Sequence, residues 1–342
     1  MTDHTGGKYV ARGSYGCTFA PAIPCSAKVP KGTYTRSIGK LFYGNSISSV
    51  QEELVLAQKV TREIDPKGTF TVRLRDQCKI DDPKESDLAG APSMCRFYPG
   101  DGQLIYDNGG ISLETYVKVN RRQPTAASAM VKLVKNSLPV LEGMKVMVEK
   151  QLTHTDIKPE NLLIQGRKVL MIDFGLMASF DETLDRDWLM NHHYRYYPVE
   201  FKLFSFYAQN FTKIGSSLPR LQKIMGQNFP NGNAVYSVFG VNLQSELKEM
   251  AFQCDRMFKR YTYEDFEEFM KVVVLPKCDL FAYGISLAEI YVNLMITAKS
   301  KSDIKKLAAI RQFLRLLILP NSMKRPSLDE AISMLKDLIN IL

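Results

Sequence analysis

The chain has 342 residues, of which 45% are hydrophobic, and carries a formal net charge of +9. That supplies apolar material for one large or two modest cores. The basic excess is spread along the chain rather than gathered in a run, so it favours anions in general, and nucleic acid is not an expected partner. Six cysteines show no CxxC pair and no His at metal-ligand spacing. This pattern argues against a disulfide framework or a zinc site and for reduced thiols in an intracellular, cytoplasmic protein. The N-terminus lacks the apolar run of a signal peptide. The longest apolar stretches are interrupted by arginine at helical spacing, which predicts amphipathic core helices and no membrane association.

In chain order, the first hundred residues are rich in Gly, Pro, Tyr and β-branched residues. Short strands are predicted at Lys8–Val10, Ser37–Phe42, Phe70–Leu74 and Gln103–Tyr106, separated by turn residues. A helix is predicted over about Ser46–Glu63, with Val50, Leu54, Ala57 and Val60 on its apolar face, ending before Asp65-Pro66. From Ala126 the pattern becomes helical, with Ser128–Lys150 read as one long helix bent at Pro139. The expected plan is α+β: a small β-rich lobe over 1–106 and a larger α-rich lobe over 107–342, joined near Tyr106–Gly110.

The informative segment is His154-Thr155-Asp156-Ile157-Lys158-Pro159-Glu160-Asn161, followed by Asp173-Phe174-Gly175. Moving a phosphoryl group requires divalent cations, which take hard oxygen ligands. Asp173 offers a carboxylate and Asn161 an amide oxygen. The apolar runs Leu162–Ile164 and Val169–Ile172 predict a hairpin that brings the two to one end. Asp156 is placed to orient an attacking hydroxyl, and Lys158 to meet the transferred phosphate. Each residue alone would read as a cap or a solvated charge; the ordered set does not.

These motifs resemble the HRDLKPEN and DFG motifs of eukaryotic-type protein kinases, in the serine/threonine version because Lys158 follows Asp156 by two positions. The resemblance implies a bilobal kinase fold, ATP and Mg²⁺ (or Mn²⁺) as cofactors, protein substrates, and ATP bound between the lobes. Asp156, Lys158 and Asn161 are then the catalytic residues, and Asn161 and Asp173 the metal ligands. Ala11-Arg12-Gly13-Ser14-Tyr15-Gly16 resembles the glycine-rich loop over the phosphates, with alanine in the first glycine place. Lys40 is the expected nucleotide anchor, with Lys28 as its rival, and Glu53 the expected partner of Lys40, with Glu52 as the alternative. Ile105, Tyr106 and Asn108 are expected at the adenine, through backbone groups of Tyr106–Asn108 and the side chain of Ile105. Downstream, Tyr196-Tyr197-Pro198-Val199-Glu200 resembles the end of an activation segment. Asp279-Leu280-Phe281-Ala282-Tyr283-Gly284 resembles the helix start whose aspartate braces the catalytic loop. Lys324-Arg325-Pro326-Ser327 resembles the motif whose arginine pairs with the segment's glutamate, so a buried Glu200–Arg325 ion pair is expected.

The sequence also departs from the family. Thr155 replaces the arginine that normally holds a phosphorylated activation loop, which predicts activity independent of loop phosphorylation. His193 stands where a threonine usually bridges to the catalytic aspartate, and the adjacent His192 and His193 do not suggest a metal. The stretch 201–275 exceeds what this connection needs. It reads as a helical insertion, over Leu243–Phe258 and Tyr263–Val274, that either docks a partner or packs on the large lobe. The degenerate glycine loop, the catalytic-loop wording and the YYPxE ending most resemble divergent kinases of large DNA viruses, which would imply the host cytoplasm or the virion. A nucleotide-binding scaffold without activity and a small-molecule kinase are the competing readings.

Overall fold

The computed structural model describes residues 7–12, 16–25, 33–42, 47–80, 90–92, 95, 102–121, 123–184, 194–202, 218–219, 223, 232–258, 262–294 and 300–342. The chain divides into two compact units, Met1–Gly110 and Ile111–Leu342. Its class is α+β, with an antiparallel sheet in the first unit and mainly helices in the second.

The first unit is built on five antiparallel strands: β1 (Lys8–Arg12), β2 (Gly16–Ala20), β3 (Ser37–Phe42), β4 (Leu74–Lys79) and β5 (Gly102–Asp107), in the order β1-β2-β3-β5-β4. Alternation along these strands divides the apolar residues between two faces. One face buries Cys17, Phe19, Ile23, Leu41, Ile80 and Cys95. The other buries Phe42 and Leu104 against Leu54 of helix α1 (Ile47–Lys59). The helix continues into a π-helical turn, Val60–Ile64, and stops at Asp65 as its Asp-Pro signal implies.

Asp65 also explains why the strand expected at Phe70–Leu74 begins only at Leu74. Its buried carboxylate accepts the N–H groups of Thr69, Phe70 and Thr71, each at 2.8 Å. Those donors are therefore unavailable to a ladder. The cysteines correct a second expectation. Cys17 pairs with Cys95 and Cys25 with Cys78, at Cα–Cα distances of 6.0 and 5.8 Å. The partners lie 78 and 53 residues apart, so no local spacing announced them; the folding of the first unit as a whole brings them together. The expectation of uniformly reduced thiols therefore does not hold for these four cysteines. Cys254 and Cys278 are free and buried.

The second unit opens with β6 (Ile111–Ser112) and α2 (Leu113–Asn120). The long helix expected over 128–150 is two helices, α3 (Ala126–Lys135) and α4 (Leu138–Glu149), separated at Asn136-Ser137. Pro139 does not bend a continuous helix; it sits in the first turn of α4, where a missing N–H costs nothing. Then come β7 (Leu152–Thr153), β8 (Leu162–Gln165), β9 (Lys168–Met171), β10 (Ala178–Ser179) and α5 (Phe180–Leu184). The expected hairpin is β8–β9, with Leu162 opposite Met171. Within the span 201–275 the described helices are α6 (Gly232–Val238), α7 (Leu243–Met257) and α8 (Tyr263–Phe269), the last followed by a π turn over Met270–Val274. The chain ends with α9 (Cys278–Leu294), α10 (Lys301–Leu317) and α11 (Leu328–Ile341).

Helix α9 is the axis of this unit, buried at fourteen positions from Cys278 to Leu294. Gly284 allows that packing, because a Cβ there would meet Leu317 of α10 at 2.7 Å. No helix among the described residues is long and apolar enough to cross a membrane.

Candidate active site

The loop between β7 and β8 carries Asp156, Lys158 and Asn161, and its shape is set by α9. The buried carboxylate of Asp279 accepts the backbone N–H of His154 at 2.7 Å and that of Thr155 at 3.0 Å. Burial pushes the Asp279 carboxyl above its ordinary range, while His154 and the two N–H bonds pull it back. Thr155 adopts a left-handed backbone, φ +62°. For a β-branched residue that conformation costs about 1–3 kcal/mol, which surrounding contacts must offset. Its hydroxyl lies 2.7 Å from the His154 carbonyl and 2.8 Å from that of Leu176. The Thr155 side chain is thus turned onto the backbone. The His154 ring fixes the next residue: Nε2 donates to the Ile172 carbonyl at 3.1 Å, which leaves Nδ1 to accept the Asp156 N–H at 3.3 Å.

Three side chains converge on Asp156. Lys158 Nζ lies 2.7 Å from Oδ2, and Asn161 Nδ2 donates to the same oxygen at 2.8 Å and to the Asp156 carbonyl at 3.0 Å. Tyr194 Oη donates to Oδ1 at 2.5 Å. The Asp156 side chain is only 13% exposed. With its amide nitrogen used twice, Asn161 presents its oxygen as the face for a cation. The β8–β9 hairpin closes with the Ile172 N–H donating to the Asn161 carbonyl at 3.0 Å, so Asn161 and Asp173 sit at one end of it. Asp173 is itself left-handed, φ +64°. A carboxylate and an amide oxygen are hard donors of the type Mg²⁺ takes, so the residues present suit that ion.

Tyr194 was not legible in the sequence. The bridging position was assigned to His193, which lies outside the described residues, as does His192. Burial and the Asp156 carboxylate hold the Tyr194 phenol well above its ordinary range, so it remains a proton donor. It packs edge-on against Tyr196 and Tyr197, at centroid distances of 5.4 and 4.6 Å. The segment is pinned to α9 by Glu289, which binds Arg195 Nε at 3.1 Å and accepts the Tyr196 hydroxyl at 3.0 Å. The clue available in the sequence was the aromatic density of Tyr194–Tyr197.

Glu200 and Arg325 are both fully buried, with 3.8 Å between Glu200 Oε2 and Arg325 Nη2. Their closest hydrogen bonds go elsewhere: Glu200 Oε1 accepts the Ser322 N–H at 2.6 Å, and Arg325 donates to the Leu319 carbonyl from Nη2 at 2.9 Å. The expected ion pair is present, but each partner is tied chiefly to backbone.

In the first unit, Lys40 and Glu53 come together across β3 and α1. Lys40 Nζ lies 2.6 and 2.8 Å from the two Glu53 oxygens. Lys40 shares the α1-facing side of β3 with Phe42, which is why it reaches the helix. The alternative Glu52 is exposed, and the rival Lys28 lies outside the described residues. Tyr106 Oη donates to Glu53 Oε1 at 3.3 Å, and Ile105 is buried. The N–H groups of Asp107 and Asn108 donate to the carbonyls of Arg73 and Arg36, each at 3.0 Å. Both N–H groups are thus engaged within the first unit. Ala11 and Gly16 lie on the paired strands β1 and β2, and Gly13, Ser14 and Tyr15 fall outside the described residues. Gly16 is demanded by packing: a Cβ would overlap the Leu41 carbonyl of β3.

Comparison with known proteins finds partial similarities. Over 82 residues the chain is 29% identical to a "Probable serine/threonine-protein kinase clkA" of Dictyostelium discoideum, covering 24% of this chain and 8% of that protein. Over 109 residues it is 28% identical to a "Putative serine/threonine-protein kinase 040L" of Invertebrate iridescent virus 3, covering 27% of this chain and 32% of that protein. The chain thus spans less than a third of either relative. No protein-family model matches it. These similarities support a kinase-like protein.

Proposed function

We propose that the chain is a serine/threonine protein kinase that moves the γ-phosphoryl group of ATP to hydroxyl groups of protein substrates. The observation that carries this reading is the convergence of Lys158, Asn161 and Tyr194 on the shielded carboxylate of Asp156. Asp156 orients the acceptor hydroxyl and takes its proton as the new O–P bond forms and the β–γ bridging bond breaks. Lys158 supplies positive charge beside the transferred group, and Lys40, held by Glu53, steadies the nucleotide phosphates. Asn161 and Asp173 would hold Mg²⁺, which spreads the phosphate charge when bound.

The Thr155 hydroxyl lies against backbone carbonyls and cannot clasp a phosphorylated loop, so activity should not require loop phosphorylation. Phosphatase-treated protein should keep its turnover; loss restored by one loop phosphosite would overturn that part. The function itself is tested by transfer of labelled γ-phosphate from MgATP to mixed acidic and basic proteins, followed by phosphoamino-acid analysis. Label on serine or threonine, absent with Asp173→Ala, is the expected result. A folded wild type that binds nucleotide without transferring phosphate would make the chain a scaffold instead.

A further inference from the structure

In the second unit, α3, α10 and the β8–β9 turn line an open cleft of about 490 Å³. Lys132 and Lys135 reach it from α3, Arg167 from the turn and Lys306 from α10, with Asp303 as the acidic residue of the lining. None of the four cations has an ion pair among the described residues. Some cations elsewhere are paired, among them Lys118 with Glu114, Lys271 with Glu267 and Lys324 with Glu249, and many exposed ones are not; what sets these four apart is that they line one concavity. Asp303, whose carboxylate also accepts from the Ser300 hydroxyl at 2.6 Å at the start of α10, offsets one of the four positive charges and leaves the lining cationic.

Concentrating like charges in one concavity is unfavourable unless something offsets it. For Lys132 and Lys135 the negative end of α3 contributes, because both lie in its last turn. Arg167 sits on the turn, and Lys306 has Asp303 three residues before it on α10. The cleft's walls are also fixed in place. The Asn136 carbonyl accepts the Val169 N–H at 3.0 Å, and its Nδ2 reaches the Gly166 carbonyl at 3.4 Å, tying the turn to the end of α3.

We propose that this cleft is a binding site for a compact polyanion, several phosphate groups carried on one small molecule. Its volume lies within the roughly 300–1,000 Å³ of small-molecule clefts. The cations line a hollow, where a nucleic-acid strand would call for a track of them. The site involves none of the residues assigned to phosphoryl transfer and stands independently of that assignment.

The test is calorimetric titration of the full chain with inositol hexakisphosphate at two salt concentrations. Three proteins are compared: wild type, the cleft variant Lys132→Glu/Arg167→Glu/Lys306→Glu, and a remote variant of equal charge change, Lys67→Glu/Lys150→Glu/Lys248→Glu. All six positions except Lys306 are exposed, and circular dichroism checks the fold. Wild type should bind one equivalent, more weakly at higher salt. The cleft variant should lose roughly a hundredfold in affinity, while the remote variant stays within about threefold of wild type. If the cleft variant does not fold, the single changes Arg167→Gln and Lys306→Gln must each weaken binding. Equal losses in the two triple variants, or no binding by wild type, would overturn the proposal. Tighter binding of a single-stranded oligonucleotide, lost in the same cleft variant, would overturn the small-ligand assignment.

Discussion

The two groups of candidate site residues are held in different ways. Around Asp156 the constraints are redundant: His154 fixes its N–H, three side chains reach its carboxylate, and Asp279 holds the two residues before it. Around Lys40 one ion pair and one weaker tyrosine bond join a strand to a helix. The first unit has covalent braces instead, in Cys17–Cys95 and Cys25–Cys78, which the second unit lacks among its described residues. A loop that must present a carboxylate in one orientation is over-determined by hydrogen bonds. Under the proposed function the Lys40–Glu53 pair needs only to deliver a charge, and it lies in the unit that carries both disulfides.

That contrast can be broken at its strongest point with Asp279→Ala. Two buried N–H groups would lose their acceptor at about 1–3 kcal/mol each, and the left-handed Thr155 would lose its support. Denaturant unfolding should show a loss of several kcal/mol, and phosphoryl transfer should fall with it. Unchanged stability would mean that the loop is held by something else.

Reducing both disulfides probes the other side. Stability should fall by about 2–5 kcal/mol for each bridge removed, with the losses concentrated in residues 7–110 as read by hydrogen exchange. Equal deprotection of the β8–β9 hairpin would erase the distinction between the units.

Lys40→Met should raise the KM for ATP by roughly ten- to a hundredfold, with little change in melting temperature, because the pair is partly exposed. A large loss of stability would show that the pair braces the sheet rather than serving a ligand.

Tyr194→Phe removes one hydrogen bond and keeps the ring packing. A drop of about tenfold in kcat with KM for the acceptor unchanged is expected from a positioning role. Faster turnover would mean that the hydroxyl obstructs the acceptor.

What the sequence made legible follows from where the constraints lie. The His154–Asn161 loop and the β8–β9 hairpin were readable because their residues are close in sequence, and the Asp279 brace because its motif resembles the kinase helix start. The Lys40–Glu53 pair followed from the resemblance, with Lys40 in a strand-like run and Glu53 on the helix after it. The disulfides were not readable, since Cys17 meets Cys95 only once the first unit has folded as a whole. Tyr194 was hidden because the resemblance puts His193 in the bridging place, and a tyrosine one residue on has the longer reach. The false strand at Phe70–Leu74 came from ignoring what the buried Asp65 would do to three neighbouring N–H groups.

The most direct test of the central claim is a single-turnover measurement of γ-phosphoryl transfer by Asp156→Asn beside wild type, with nucleotide affinity measured in parallel. Nucleotide affinity should be preserved while transfer falls by about 10²–10⁴, the span expected for losing a positioned base. Transfer at the wild-type rate would remove Asp156 from the chemistry and the proposed function with it.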